Sequence, residues 1–154
     1  MPHPLVPQPT PETQPFWDGL AQHRLDLPRC SRCGHAFFPP SAVCSYCAST
    51  AIEWFEASGD ATLYSYVIHH RPLKLWQTEG PRSVALVRLA EGPMMVSSVV
   101  NCPQTPEALS LDMALRATFE PFADVVVLCF EPAEGSATAR TTTVTVGADQ
   151  ETRS

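Results

Sequence analysis

Two cysteine pairs, Cys30 with Cys33 and Cys44 with Cys47, constrain this chain more than any other feature. Ten residues lie between the pairs, enough to fold back and bring four sulfurs to one tetrahedral point, the coordination zinc takes with thiolates. The six cysteines of the chain also admit a disulfide framework. Cys102 and Cys129, however, stand apart in apolar surroundings, and in a reducing compartment CxxC spacing favours metal. A dithiol redox centre needs only one pair in a βαβ setting, which this sequence does not present. A single iron in the same cage is the alternative that ligand type leaves open.

Four thiolates complete the shell of one zinc ion per chain and leave no position for water, so a structural role is expected rather than Lewis-acid catalysis. Gly34 follows the first pair and lets the chain turn so that amides point at sulfur, whereas Ala48, after the second pair, turns less freely. Phe37, Phe38 and the Pro39-Pro40 step in the intervening loop are expected to cover the site and stiffen the reversal.

Outside this segment the sequence divides by composition. Residues 1–14 belong to a Pro-rich stretch, with six prolines in "MPHPLVPQPTPETQP"; missing amide donors and fixed φ angles forbid a regular helix and predict a flexible arm. Residues 15–27 are predicted as a short helix and connector, Pro15 sitting in the first turn after Thr13, with Phe16, Leu20 and His23 on one face. Phe16 and Trp17 either pack on their own domain or dock a partner. Residues 28–50 form the cysteine segment. Over 51–133 the stretches "IEWFEASG", "ATLYSYVIHH", "SVALVRL", "MMVSSVV", "MALRATFE" and "VVVLCFE" read as strands broken by Gly and Pro. Short strands at such spacing, without a long helix between them, predict a five-stranded barrel of the OB type. The fold class is therefore mainly β. Residues 134–154 lose large hydrophobes and are expected to be a flexible tail, although "TTTVTV" at 141–146 has the composition of an edge strand.

Charge and motif content narrow the function. Lys74 is the only lysine, and 10 basic against 16 acidic residues give a net charge of -6, which repels phosphate backbones. Tyr64, Tyr66 and Trp76 are the residues that would stack bases in a single-strand-binding protein, but no basic and aromatic stripe accompanies them. There is no run of apolar residues to span a bilayer and no secretory pattern at the N-terminus, so a cytoplasmic protein is expected. No Ser-His-Asp order, HExxH pair or phosphate-cradling loop is present. His69 and His70 fall on opposite faces of a strand end, Cys129 within "VVVLCFE" reads as core, and no catalytic residue is assigned.

The order of "PFWDGLAQHRL", "RCSRCGHAFFPP", "CSYC", "EWFEASGDATLYSYVIHHRP" and "SVALVRL" resembles the rubredoxin-like zinc-ribbon/OB-fold proteins associated with acyl-CoA metabolism, from about Pro15 to Pro132. The resemblance implies a non-catalytic accessory subunit whose partner is a thiolase-like acyltransferase, thiolase or aldolase, or an enoyl-CoA hydratase-like enzyme that carries the catalytic residues. The family's zinc ligands fall on Cys30, Cys33, Cys44 and Cys47, and its histidine-arginine-proline turn on His70, Arg71 and Pro72, implying a contact to partner or CoA. Two positions depart from the family pattern: Ala61 stands where relatives often have glycine, and Ser41 where a basic residue is common. Positive groups for CoA phosphates would then come from Arg29, Arg32, Arg71 or Lys74.

Overall fold

The structure is a computed structural model that describes residues 6–71 and 80–134. Pro72, Lys74, Trp76, residues 141–146 and nearly all of the expected tail lie outside the described residues. Before the first helix, Thr10 closes a turn in which its amide donates to Thr13 Oγ1 at 2.9 Å. Helix α1 then spans Gln14–Ala21, with Thr13 at its N-cap and a proline in its first turn. Phe16 and Leu20 face inward, 6% and 1% exposed. His23 leaves the helix with φ 57° and stacks on Phe119 at 5.4 Å.

Strand β1, Asp26–Cys30, pairs antiparallel with β2, Ile52–Glu56, so that Cys30 lies opposite Ile52. Sequence periodicity placed the β2 stretch among the barrel-domain strands, but its partner is β1, because alternation marks a strand without naming its neighbour. Sequence periodicity marks no strand at β1, which straddles the expected connector (15–27) and cysteine segment (28–50). Pro28 lies inside it, and proline argues against a central strand; the two-stranded ribbon tolerates it because it offers edge positions.

Five further strands, β3 (Asp60–His69), β4 (Arg82–Leu89), β5 (Met94–Ser97), β6 (Ala114–Phe122) and β7 (Val125–Pro132), form one antiparallel sheet in the order β5-β4-β3-β6-β7. It curls until its edges meet. The Phe130 amide donates to Ser98 O at 2.9 Å, the Val100 amide to Phe130 O at 2.7 Å, and Ser97 Oγ to Leu128 O at 2.8 Å. This closure gives the OB-type barrel. Ser83, a fully buried polar residue, mends the seam: its hydroxyl accepts from the Val99 amide and donates to Val99 O, both at 3.1 Å.

The barrel interior holds Leu63, Val87, Leu89, Leu115 and Phe130, each at most 2% exposed, and one continuous core joins them to Phe16, Leu20 and Leu27. Helix and ribbon are thereby fixed to the barrel by shared burial. Gly59 turns the chain from ribbon into barrel with φ 80°, and a Cβ there would stand 3.2 Å from the Ala117 Cβ. Ala61, two residues on, is 7% exposed and faces the core. Among the described residues no helix is long and apolar enough to cross a membrane.

Candidate metal centre

The ribbon brings all four paired cysteines together. Their sulfurs lie within 4.8 Å of one another, with Cys30 to Cys47 and Cys33 to Cys44 each at 3.6 Å. A zinc ion bonded to four sulfurs at about 2.3 Å spaces them at about 3.8 Å on the edges of a tetrahedron. The observed spacing matches that. A disulfide needs about 2.05 Å between sulfurs, and all six cysteines are free thiols. The donor set therefore fits a metal ion.

Both turns are built alike. The Gly34 amide donates to Cys30 O at 2.8 Å and the Ala48 amide to Cys44 O at 3.0 Å. Gly34 has φ 76° and Ala48 has φ 56°, so alanine adopts the left-handed conformation that glycine reaches more easily; for a side-chain-bearing residue this costs about 1–2 kcal/mol. The second turn is thus the strained one. The Tyr46 amide points at Cys44 Sγ at 3.4 Å.

These backbone dipoles act on the thiols. The Cys33 amide is the largest influence drawing Cys30 down to about 6 from 9.0, against burial. At Cys33 the His35 amide pulls down, but burial and the neighbouring thiols prevail and push it up to about 12. Of these two thiols, Cys30 is drawn toward the thiolate and Cys33 is held protonated; a dication offsets the charges and displaces the protons. For the metal-free fold, Cys30 adds stability above pH 9, and that contribution fades as pH falls through about 6. Cys33 has the opposite sign: its contribution is present below pH 9 and fades as pH rises through about 12.

A small apolar cluster encloses the cysteines: Phe37 at 5% exposure with Cys30 and Cys44, and Ile52 packed against them. Phe38 turns the other way, onto Phe16 at 5.4 Å. His35, two residues after Cys33, and Tyr46, directly before Cys47, stack at 4.2 Å; sequence spacing carried no signal for that pair.

The partner-contact candidates separate. Phe16, at 6% exposure, belongs to the core, so it supports the surface from beneath. Trp17 is half-buried, edge-on to Phe16 at 5.3 Å, and lines a groove of about 210 Å³ with Leu20, Phe38, Met95 and Val127. His70 and Arg71 are exposed just past the end of β3. Arg29 is engaged with Glu53 at 2.8 Å and lies over the Phe55 ring, while Arg32 is exposed between the first two cysteines. Tyr66 packs against the core and Tyr64 is exposed under Arg88. Cys129 is buried, and burial and Glu120 push its thiol up to about 11, which makes it a poor nucleophile.

Residues 17–53 match the family model described as "ChsH2, rubredoxin-like zinc ribbon domain", and residues 54–120 match "ChsH2, C-terminal OB-fold domain". The chain belongs to the ChsH2 family of zinc-ribbon and OB-fold proteins. The boundary between the two models falls inside β2, the second strand of the ribbon. Among curated relatives, the 3-oxo-4,17-pregnadiene-20-carboxyl-CoA hydratase alpha subunit of Mycobacterium tuberculosis is 32% identical over 84% of this chain and 40% of its own length. A DUF35 domain-containing scaffold protein of Methanocaldococcus jannaschii is 30% identical over 59% of this chain and 64% of its own. This ChsH2-family chain thus spans less than two thirds of either relative. A chain of the solved structure named "Ltp2-ChsH2(DUF35) aldolase" superposes with a TM-score of 0.73 at 29% identity, covering 82% of this chain and 98% of that one.

Proposed function

We propose that this protein is a non-catalytic accessory subunit of an acyl-CoA enzyme, a thiolase-like acyltransferase, thiolase or aldolase, or an enoyl-CoA hydratase. The observation that carries the reading is the likeness to the Ltp2-ChsH2(DUF35) aldolase chain over nearly its whole length. The hydratase alpha subunit and the archaeal scaffold protein support it from sequence. The site chemistry agrees: the cluster of thiols is a closed four-sulfur cage, and Cys129 is kept protonated by burial.

The resident ion is zinc, held by Cys30, Cys33, Cys44 and Cys47, and it supplies structural cross-linking of the ribbon. The ribbon (residues 28–50) docks the enzyme beside the OB-fold domain (51–133), with Trp17, His70 and Arg71 as contacts to partner or CoA. Free thiols suit the reducing cytoplasm. The test is to purify the chain alone and with the acyl-CoA enzyme that accompanies it in native cells. Alone, it is expected to be colourless, to hold one zinc and to show no turnover; together, the two elute as a heteromer and activity appears. Full activity of the enzyme without this chain would sink the proposal, and a red chain would replace zinc by iron.

A further inference from the structure

The outer face of a half-buried sheet is ordinarily polar, yet adjoining rungs of β3, β4 and β5 are apolar here. Val67 pairs with Val84 and Leu86 with Val96 on the outward side. Val67 is 63% exposed, Val84 45% and Val96 69%. A bulge between Leu63 and Ser65 turns Tyr64 out beside them, 48% exposed. Apolar residues on neighbouring rungs form a patch, which single exposed hydrophobes do not.

The patch has a basic rim. His69 pairs with Arg82 at one end, and Thr62 pairs with Arg88 at the other. Arg88 lies over the Tyr64 ring at 4.8 Å. Ion pairs among the described residues join Arg24 to Asp26, Arg29 to Glu53 and Arg116 to Asp60. Arg82 and Arg88 take part in none of these, Arg82 donating instead to Ser98 Oγ at 3.2 Å and to Cys129 Sγ at 3.7 Å; the outward carboxylate at the start of β3, Asp60, is the one held by Arg116. In a chain of net charge -6 this is a local inversion of sign. Glu120 accepts from the Cys129 thiol at 3.9 Å.

That groove gives the patch a recess. It holds about 260 Å³ between Val84, Val96, Phe122 and Val127, with Arg82 on its wall and Pro7 at its edge. Interfaces concentrate their affinity where an apolar or aromatic anchor fills such a pocket inside a polar rim. A second copy that pairs through this same face brings the same two arginines and a carboxylate, Asp60, already held by Arg116, which disfavours self-pairing.

We propose that the outward face of β3, β4 and β5 is a protein-docking surface whose occupant is an apolar patch flanked by carboxylates on the acyl-CoA enzyme. The inference rests on the accessory-subunit reading and adds to its ribbon contact a face on the barrel. The Val84 and Val96 recess takes an apolar anchor of the enzyme, while Arg82 and Arg88 meet its carboxylates and make association sensitive to salt.

The test titrates the full, metal-loaded chain against the enzyme that co-purifies with it. The double variant Val84→Glu with Val96→Glu is expected to weaken binding by about 100-fold, as loss of a central anchor does. Arg88→Glu weakens it by about tenfold, the size of effect an exchanged rim charge has on a salt-dependent complex. Leu111→Glu, at a position 61% exposed on the loop before β6 and outside the groove, leaves it unchanged. Equal weakening by Leu111→Glu and the double variant overturns the assignment to this face. Should the double variant fail to fold, hydrogen exchange of the wild-type complex decides: slowing across β4 and β5 supports the face, and unchanged exchange there overturns it. Coenzyme A alone is the second probe, and saturable binding of it that Arg82→Glu and Arg88→Glu abolish assigns the face to a small anion and overturns protein docking. A wild-type chain that forms no complex overturns the accessory reading together with this inference. A complex formed equally well by the double variant overturns this inference alone.

Discussion

Removing the metal, by a chelator or by Cys44→Ser, is expected to unfold the ribbon between Cys30 and Ala51 while the five-stranded sheet stays folded. The buried residues around the site are only Cys30, Phe37 and Cys44, too little apolar area to offset the entropy of ordering some twenty residues at about 1–2 kcal/mol each. Structural zinc contributes about 10–16 kcal/mol in zinc-finger peptides, so its loss exceeds anything the local packing can supply. The barrel has its own core, to which the ribbon side adds Leu25 and Leu27, before and on β1, with the partly buried Phe38, Trp54 and Phe55 packed against it. Hydrogen exchange on the chelated chain reads the two regions separately. Protection lost at 30–51 and kept across β3, β4, β6 and β7 is the expected pattern; unchanged protection at the cysteines would refute the metal clip.

Phe130→Ala is expected to destabilise the barrel by about 3–5 kcal/mol, the range for truncating a fully buried aromatic residue. Phe130 is 0% exposed, and its backbone closes the seam with Ser98 and Val100. The variant leaves those backbone bonds available but opens a void beneath them, so the loss falls on packing. For a domain with about 5–15 kcal/mol in total, that is a large share. Denaturant unfolding followed by tryptophan fluorescence measures it, with Val96→Ser as a reference expected within about 0.5 kcal/mol, since Val96 is 69% exposed in the free chain. A Phe130→Ala loss no greater than that of Val96→Ser would show that the core does not centre there.

Local rules carried through where they depend on neighbours in the chain. The start of α1 after Thr13, the proline in its first turn, the inward faces of Phe16 and Leu20, and the barrel strands from β3 to β7 all follow from spacing and side-chain type. Partnership between strands did not follow. Asp26–Cys30 carries Pro28 and shows no alternation strong enough to announce a strand, and Ile52–Glu56 alternates without saying which sheet it joins. Phe16 and Trp17 were equivalent candidates in sequence; burial made one a core residue and the other a groove wall.

The sequence alone determined that two CxxC pairs could enclose one ion, because ligand type, spacing and the turn after each pair are properties of a few consecutive residues. Tertiary structure decided the rest. Ala48 adopts a left-handed backbone that its side chain disfavours, since the second turn must place Cys44 and Cys47 opposite the first pair. Val67, Val84, Leu86 and Val96, dispersed over thirty residues, become one surface only when β3, β4 and β5 pair in register. Periodicity fixes which side of its own strand a residue takes, and only long-range pairing fixes which residues of other strands stand beside it.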